Sequence, residues 1–491
     1  METITEKKKV FKGILSQTIV VVISGALGFI NFAIMSRLLT KETFGFFAII
    51  SAAMVVINEI NSAGMGSAVI QRKNLDNSFF STAFSLSFIT GTFFSLLVFL
   101  LSPVLSDFFV HSTRLEVPFK VVSITLLLNN ICSVLRAQYM RKLQFLRFGA
   151  YQIIVSVLSY GLGITMAING SQLAAIIAAS VSNSILLTII LVWLNRNDLC
   201  FKIEKKYIKD ILSYGGWLTA SGVVRSIYEQ IDKLLTTKWL SVVSIGAYNR
   251  PNGFVFQISS TVNGIFDTTL FPILSSIKDD KDKIHSAYEK SVELTCVFSC
   301  LMSFTMILGA HILTFIFLGK QWLDLIPIFQ IASFTIIFLF YGRIGDSFFR
   351  STGYVRDYFF VRVAVCTFSI LCVYLGCKFD IVGLAIGVLV SRIFDVLIKM
   401  WVLGKRIGIK QFPIIKKVLI DIMIPSLCFV LCFILTLCSD YEYISEIALV
   451  LYVMILVIVL IYKPLLLGEI FFESIYSPIS AKIGNRIYKK R

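Results

Sequence analysis

About fourteen apolar segments, each long enough to cross a membrane as a helix, dominate this 491-residue sequence. An α-helix rises ~1.5 Å per residue, so roughly 20 apolar residues cross ~30 Å of hydrocarbon with every backbone group satisfied internally. The segments run 11–36, 43–70, 78–104, 118–139, 148–168, 171–194, 210–236, 245–273, 288–316, 325–348, 358–377, 381–404, 416–437 and 445–462. An all-α integral membrane protein with about 14 transmembrane helices is therefore expected. Composition agrees: 57% of the residues are hydrophobic and 15% charged, where a soluble domain carries about a quarter charged.

The net charge of +17 would suggest a nucleic-acid partner on a soluble chain. Here Lys and Arg collect in alternate connections, such as 195–209 and 405–417, with a roughly fourfold bias to one side. The bias orients both termini to the cytoplasm and removes the need for nucleic acid. The basic N-terminus leads into a full-length span, unlike a short cleavable signal. Ten Cys form no CxxC pair and lie mostly in apolar runs, as free thiols do, and His111, His285 and His311 are too scattered for a metal site. No nucleotide-binding loop or Ser/His/Asp order stands out, so no enzyme is expected and no catalytic residue is assigned.

The chain repeats itself. Ile14-Leu15-Ser16-Gln17 matches Ile211-Leu212-Ser213-Tyr214, Arg37-Leu38-Leu39 matches Lys233-Leu234-Leu235, and the turn Phe44-Gly45-Phe46-Phe47 matches Ile245-Gly246-Ala247-Tyr248. Two parallel six-helix lobes are expected, 1–200 and 201–405, followed by two C-terminal helices and a basic cytoplasmic tail over 406–491.

Charges inside the apolar segments point to function, because lipid does not solvate them. Arg225, Tyr228, Glu229 and Asp232 form one stripe at helical spacing. Arg250 and Asp267 lie on the eighth segment, Arg343 and Asp346 on the tenth, Arg362 on the eleventh, and Arg392, Asp395 and Lys399 on the twelfth. The earlier part of the chain offers Glu59 beside Asn58 and Asn61. Arg225, Arg250, Arg343 and Arg392 are candidates for an anionic headgroup, since a guanidinium bonds phosphate bidentately and stays charged. Glu59, Glu229, Asp232 and Asp267 are candidates for coupling to a proton or sodium ion, or for structural pairing. Arg225–Glu229, Arg343–Asp346 and Arg392–Asp395 also have the spacing of intrahelical ion pairs, and Glu59 can bond Asn61 or a neighbouring helix.

The stretches RLLTKETFGFFAI (from Arg37) and GMGSAVIQRK (from Gly64) resemble the opening of bacterial polysaccharide transporters of the multidrug/oligosaccharidyl-lipid/polysaccharide exporter superfamily. LRAQYMRKLQF (from Leu135) and Gly246-Ala247-Tyr248-Asn249-Arg250-Pro251 resemble later parts of the same family. The resemblance implies two six-helix bundles in a V, as in the MATE transporters, with alternating access to a cationic central cavity. It implies no cofactor. It also implies a cargo: an undecaprenyl pyrophosphate-linked oligosaccharide, turned from the cytoplasmic to the outer leaflet of the bacterial inner membrane for surface polysaccharide such as O-antigen, capsule or exopolysaccharide. The partners implied are this lipid-linked oligosaccharide, membrane lipids and the polysaccharide polymerase machinery. Two alternatives share the fold, a cation-coupled multidrug exporter and a peptidoglycan lipid-precursor flippase.

Overall fold

Lipid rather than water shapes which residues face outward in this chain, and the fourth helix shows how. In α4 (Asn77–Val110), Ser81, Ser85, Gly91, Ser95, Ser102 and Ser106 fall on the buried stripe. Phe93, Leu96, Leu100 and Val104 point outward, Leu100 being 72% exposed. Small residues let helices approach closely where neighbouring helices replace lipid, and large apolar ones suit the acyl chains. The hydroxyls bond their own helix, as in Ser87 to the Ala83 carbonyl at 2.8 Å and Thr82 to the Ser78 carbonyl at 2.7 Å.

The computed structural model describes residues 2–62, 64–72, 76–142, 144–197, 199–276, 281–438 and 444–462. Within these it describes the side chains other than those of 2–16, 71, 209–218, 262–276, 281, 355, 437–438 and 457–462. No strand occurs among the described residues. The remaining helices are α1 (Glu2–Leu38), α2 (Lys41–Ser62), α3 (Met65–Gln71), α5 (Glu116–Arg141), α6 (Phe145–Ile168), α7 (Leu173–Leu194), α8 (Lys205–Leu234) and α9 (Val242–Ser276). After them come α10 (Lys281–Leu308), α11 (Ala310–Leu313), α12 (Ile326–Ser351), α13 (Val355–Cys377), α14 (Ile381–Ile407), α15 (Gln411–Asp421), α16 (Met423–Cys438) and α17 (Ile444–Tyr462). Among the described residues, 10 helices are long and apolar enough to cross a membrane, or 11 if α15 and α16, bent by 49°, form one span. In α8, Arg225, Glu229, Asp232 and Lys233 interrupt the apolar run.

The segment expected to be continuous over 43–70 is broken. Helix α2 stops at Ser62 and α3 begins at Met65, with Gly64 left-handed at φ 67°. That φ suits a residue without Cβ, so glycine sets the break. Glu59 consequently lies in the last turn of α2 rather than midway along a helix.

Residue contacts divide the chain into two compact units, Met1–Arg250 with Ser369–Leu384, and Pro251–Phe368 with Ala385–Arg491. In the first unit α4 packs on α5, α6 on α7, α1 on α6, and α2 on α8. One core joins Ile49, Ile50, Val98, Leu115, Phe119, Leu126 and Ile245, and a second joins Met65, Val69, Phe79, Phe84, Val134, Leu135, Phe148 and Leu191. The two glycines equated by the repeat meet here. A Cβ on Gly246 would strike the Lys41 carbonyl and lie 2.7 Å from Gly45 N, so the first turns of α2 and α9 touch backbone to backbone. In the second unit α10 packs against α12 and against α15, α16 and α17. Cys300, Phe304, Leu308, Cys432, Ala448 and Tyr452 make its core, with the Phe304 and Phe429 rings stacked at 4.4 Å. The C-terminal helices thus build on α10.

Candidate functional site

Helix α8 carries the charged stripe of the first unit. Gly222, Arg225, Glu229 and Asp232 follow at helical spacing on one face. Its position is set by contact with α2: a Cβ on Gly222 would run into Glu59 Oε1 and lie 2.9 Å from the carboxyl carbon. Only a glycine leaves room there for the carboxylate. Glu59 is half-buried and forms no ion pair among the described residues.

The expected bond between Glu59 and Asn61 does not form, because Asn61 is committed elsewhere. Its Nδ2 donates to the Leu126 carbonyl at 2.9 Å, and its Oδ1 accepts from Asn130 Nδ2 at 3.1 Å. Asn130 Nδ2 also lies 3.1 Å from the Ser87 carbonyl and 2.9 Å from Thr90 Oγ1, so this amide pair ties α2, α4 and α5 together. Sequence spacing along one helix gives no sign of such a knot.

Arg225 sits one turn beyond Gly222, half-buried, and makes no hydrogen bond or ion pair among the described residues. The expected Arg225–Glu229 intrahelical pair is absent, although Glu229 is half-buried on the same face. A guanidinium has five donors and does not deprotonate, so it retains full capacity for an external anion. Asp232 is buried. Its Oδ2 accepts from the Tyr248 hydroxyl at 3.0 Å, while Oδ1 is buried without a hydrogen-bond partner among the described residues.

Arg250 has a different environment. Its guanidinium lies between two rings, 3.3 Å from the Phe32 centroid and 4.0 Å from that of Phe44. Nε donates to Ser36 Oγ at 2.7 Å, and Nη2 donates to the Phe32 carbonyl near the C-terminal end of α1. Stacking, two hydrogen bonds and a helix C-terminus all favour a cation there. This arginine fastens α9 to α1 and α2.

The second unit pairs its buried charges across helices. Asp346 on α12 takes Arg362 of α13 at Oδ2 and Lys399 of α14 at Oδ1, the latter at 2.8 Å. Lys399 also lies 2.8 Å from Asp395 Oδ2, and Arg362 Nη2 donates to the Tyr358 hydroxyl at 3.0 Å. All four charged side chains are buried. Arg343 and Arg392, the two candidates here, are each half-buried one turn before Asp346 and Asp395. The side chain of Asp267 lies outside the described residues. Glu293 on α10 was not anticipated. It is 1% exposed and faces Lys417 of α15, whose Nζ is 2.9 Å away. Glu293 lies one turn after Glu289 and Lys290, at the start of the apolar stretch of α10.

A family profile described as polysaccharide biosynthesis protein matches residues 34–327, more than half of the chain. The chain belongs to this polysaccharide biosynthesis protein family. It is similar to lipopolysaccharide biosynthesis protein WzxC of Escherichia coli strain K12, at 20% identity over 408 residues and 82% of each chain. It is also similar to teichuronic acid biosynthesis protein TuaB of Bacillus subtilis strain 168, at 24% identity over 315 residues, 62% of this chain and 63% of that one. In fold this family member matches the lipid II flippase MurJ in an inward closed conformation, with TM-score 0.71 and 15% identity over 91% of this chain and 99% of that one. It further matches an inward-facing MATE family transporter of the MOP superfamily, with TM-score 0.63 and 14% identity over 80% and 98% of the two chains. The polysaccharide biosynthesis protein is therefore a multi-pass membrane protein with the MATE-like fold, as the sequence led us to expect.

Proposed function

We propose that this chain is a flippase that turns an undecaprenyl pyrophosphate-linked oligosaccharide from the cytoplasmic to the outer leaflet of the bacterial cytoplasmic membrane, for surface polysaccharide assembly. Family membership supports the pathway. The observation that carries the anionic cargo is Arg225, a half-buried guanidinium with no partner among the described residues. Placing such a charge in a membrane helix without an internal counter-ion costs several kcal/mol, a cost an arriving pyrophosphate offsets. On this reading Arg225 receives the headgroup, while Arg250 fastens α9 to α1 and α2. About 14 membrane helices in two six-helix lobes and a C-terminal pair, both termini in the cytoplasm, alternating access, and a downstream polymerase belong to the same proposal. Glu59, Glu229, Asp232 and Asp267 are its candidates for a coupling proton or sodium ion.

The test is the sidedness of lipid-linked oligosaccharide in membranes of a deletion strain. Accumulation in the cytoplasmic leaflet, reversed by the intact gene, is the expected result; an unchanged distribution would overturn the proposal.

A second reading has its own observation. Glu59 is a carboxylate without an ion pair, which suits a cation-coupled drug exporter. In that case deletion raises sensitivity to cationic drugs and leaves glycan lipids alone. The peptidoglycan-precursor alternative rests on the likeness to MurJ, which concerns fold. Complementation of a strain depleted of its own precursor flippase separates it from the first reading.

A further inference from the structure

The Lys399 ammonium has three N–H donors and no acceptor, and three oxygens surround it. They are Asp346 Oδ1 at 2.8 Å, Asp395 Oδ2 at 2.8 Å and the Gly342 carbonyl at 3.1 Å. Lys399 is 1% exposed, so bulk water does not reach it. Two carboxylates and a backbone carbonyl, drawn from α12 and α14, are the donors that hard cations select. The stem of the lysine reaches this cradle across glycines: a Cβ on Gly345 would lie 3.1 Å from Lys399 Cδ, and one on Gly342 would lie 3.0 Å from Asp395 Oδ2. Among the four groups in direct ion-pair contact the charges balance as well. Arg362 offsets one acid, and the second positive charge is Lys399 itself.

We propose that Lys399 is a tethered cation, filling an oxygen site that would otherwise hold a free monovalent ion such as sodium. The site is permanently occupied in the native chain, so no exchangeable ion is taken up by Asp346 and Asp395. Ion coupling then has to use carboxylates elsewhere, such as Asp232, one oxygen of which is buried without a hydrogen-bond partner among the described residues. The inference concerns this cluster alone and holds whatever cargo is carried.

Thermal unfolding of the purified full-length protein in sodium chloride and in choline chloride tests it. The native chain should unfold at the same temperature in both salts. Lys399→Ala, which vacates the cradle and leaves one acid unbalanced, should gain roughly 2 °C or more in sodium. Lys399→Ala combined with Asp395→Asn restores the balance and should lose that gain. Because the single variant risks poor folding, the yield of folded protein extracted in each salt is the second reading, and it should be higher in sodium. Equal melting and equal yield in the two salts, including no folded variant in either, would overturn the proposal. So would a native chain that sodium stabilises as much as the variant.

Discussion

The two units treat their buried charges in opposite ways. In the second, Asp346, Asp395, Arg362 and Lys399 come from three helices and form ion pairs with one another within about 3 Å. In the first, Arg225 and Glu59 occupy adjoining turns of a helix contact without pairing, and Arg250 finds rings and a carbonyl instead of an acid. Charges that close on one another hold a fold together, while a charge left open is available to something that arrives.

The sharpest way to break this contrast is to remove one member of the closed network. Lys399→Met fills the volume of the lysine but strands a buried carboxylate, and it should cost about 3–5 kcal/mol of stability, read by thermal or denaturant unfolding in detergent. A loss below about 1 kcal/mol would mean that the network is wet or open and that the units do not differ as described.

Arg250 sharpens the comparison from the other side. Arg250→Lys keeps the charge but loses the planar stack on Phe32 and Phe44 and the fork to Ser36 and the Phe32 carbonyl, so it should still destabilise by about 2 kcal/mol. If Arg250→Lys unfolds like the native chain while losing transport, this arginine belongs with the open charges.

A smaller effect is expected at Gly222. A methyl group there meets Glu59 Oε1, so Gly222→Ala should cost about 1–3 kcal/mol alone and much less in a Glu59→Ala background. Additive losses in the double variant would show that the two residues are not in contact.

How much of this was legible in the sequence depends on the range over which the physics acts. The helical membrane class follows from runs of apolar residues, which any stretch of about 20 displays by itself. The motifs at Arg37–Ile49 and Gly64–Lys73 carried the family. The Asp395–Lys399 pair is an i, i+4 neighbour and was visible as one face of a helix. Asp346 with Arg362 and Lys399 was not, because those partners arrive from other helices. Spacing instead suggested Arg225–Glu229, a pair that the orientation of the two side chains does not make. Gly64 reads from the sequence as a site of close helix packing, the commoner use of glycine in membrane helices, and its φ of 67° shows a break instead. Glu293 likewise meets its base, Lys417, only through packing of α15 on α10.

The smallest stability effect carries the largest functional one. Arg225→Ala removes a half-buried charge that no described residue pairs with, so the variant should unfold no more easily than the native protein. The decisive measurement is the leaflet distribution of lipid-linked oligosaccharide in a deletion strain expressing Arg225→Ala at the native level of folded protein. The cargo should remain in the cytoplasmic leaflet as it does without the gene. Restoration to the outer leaflet by this variant would contradict the claim that the open arginine is the one that meets the cargo.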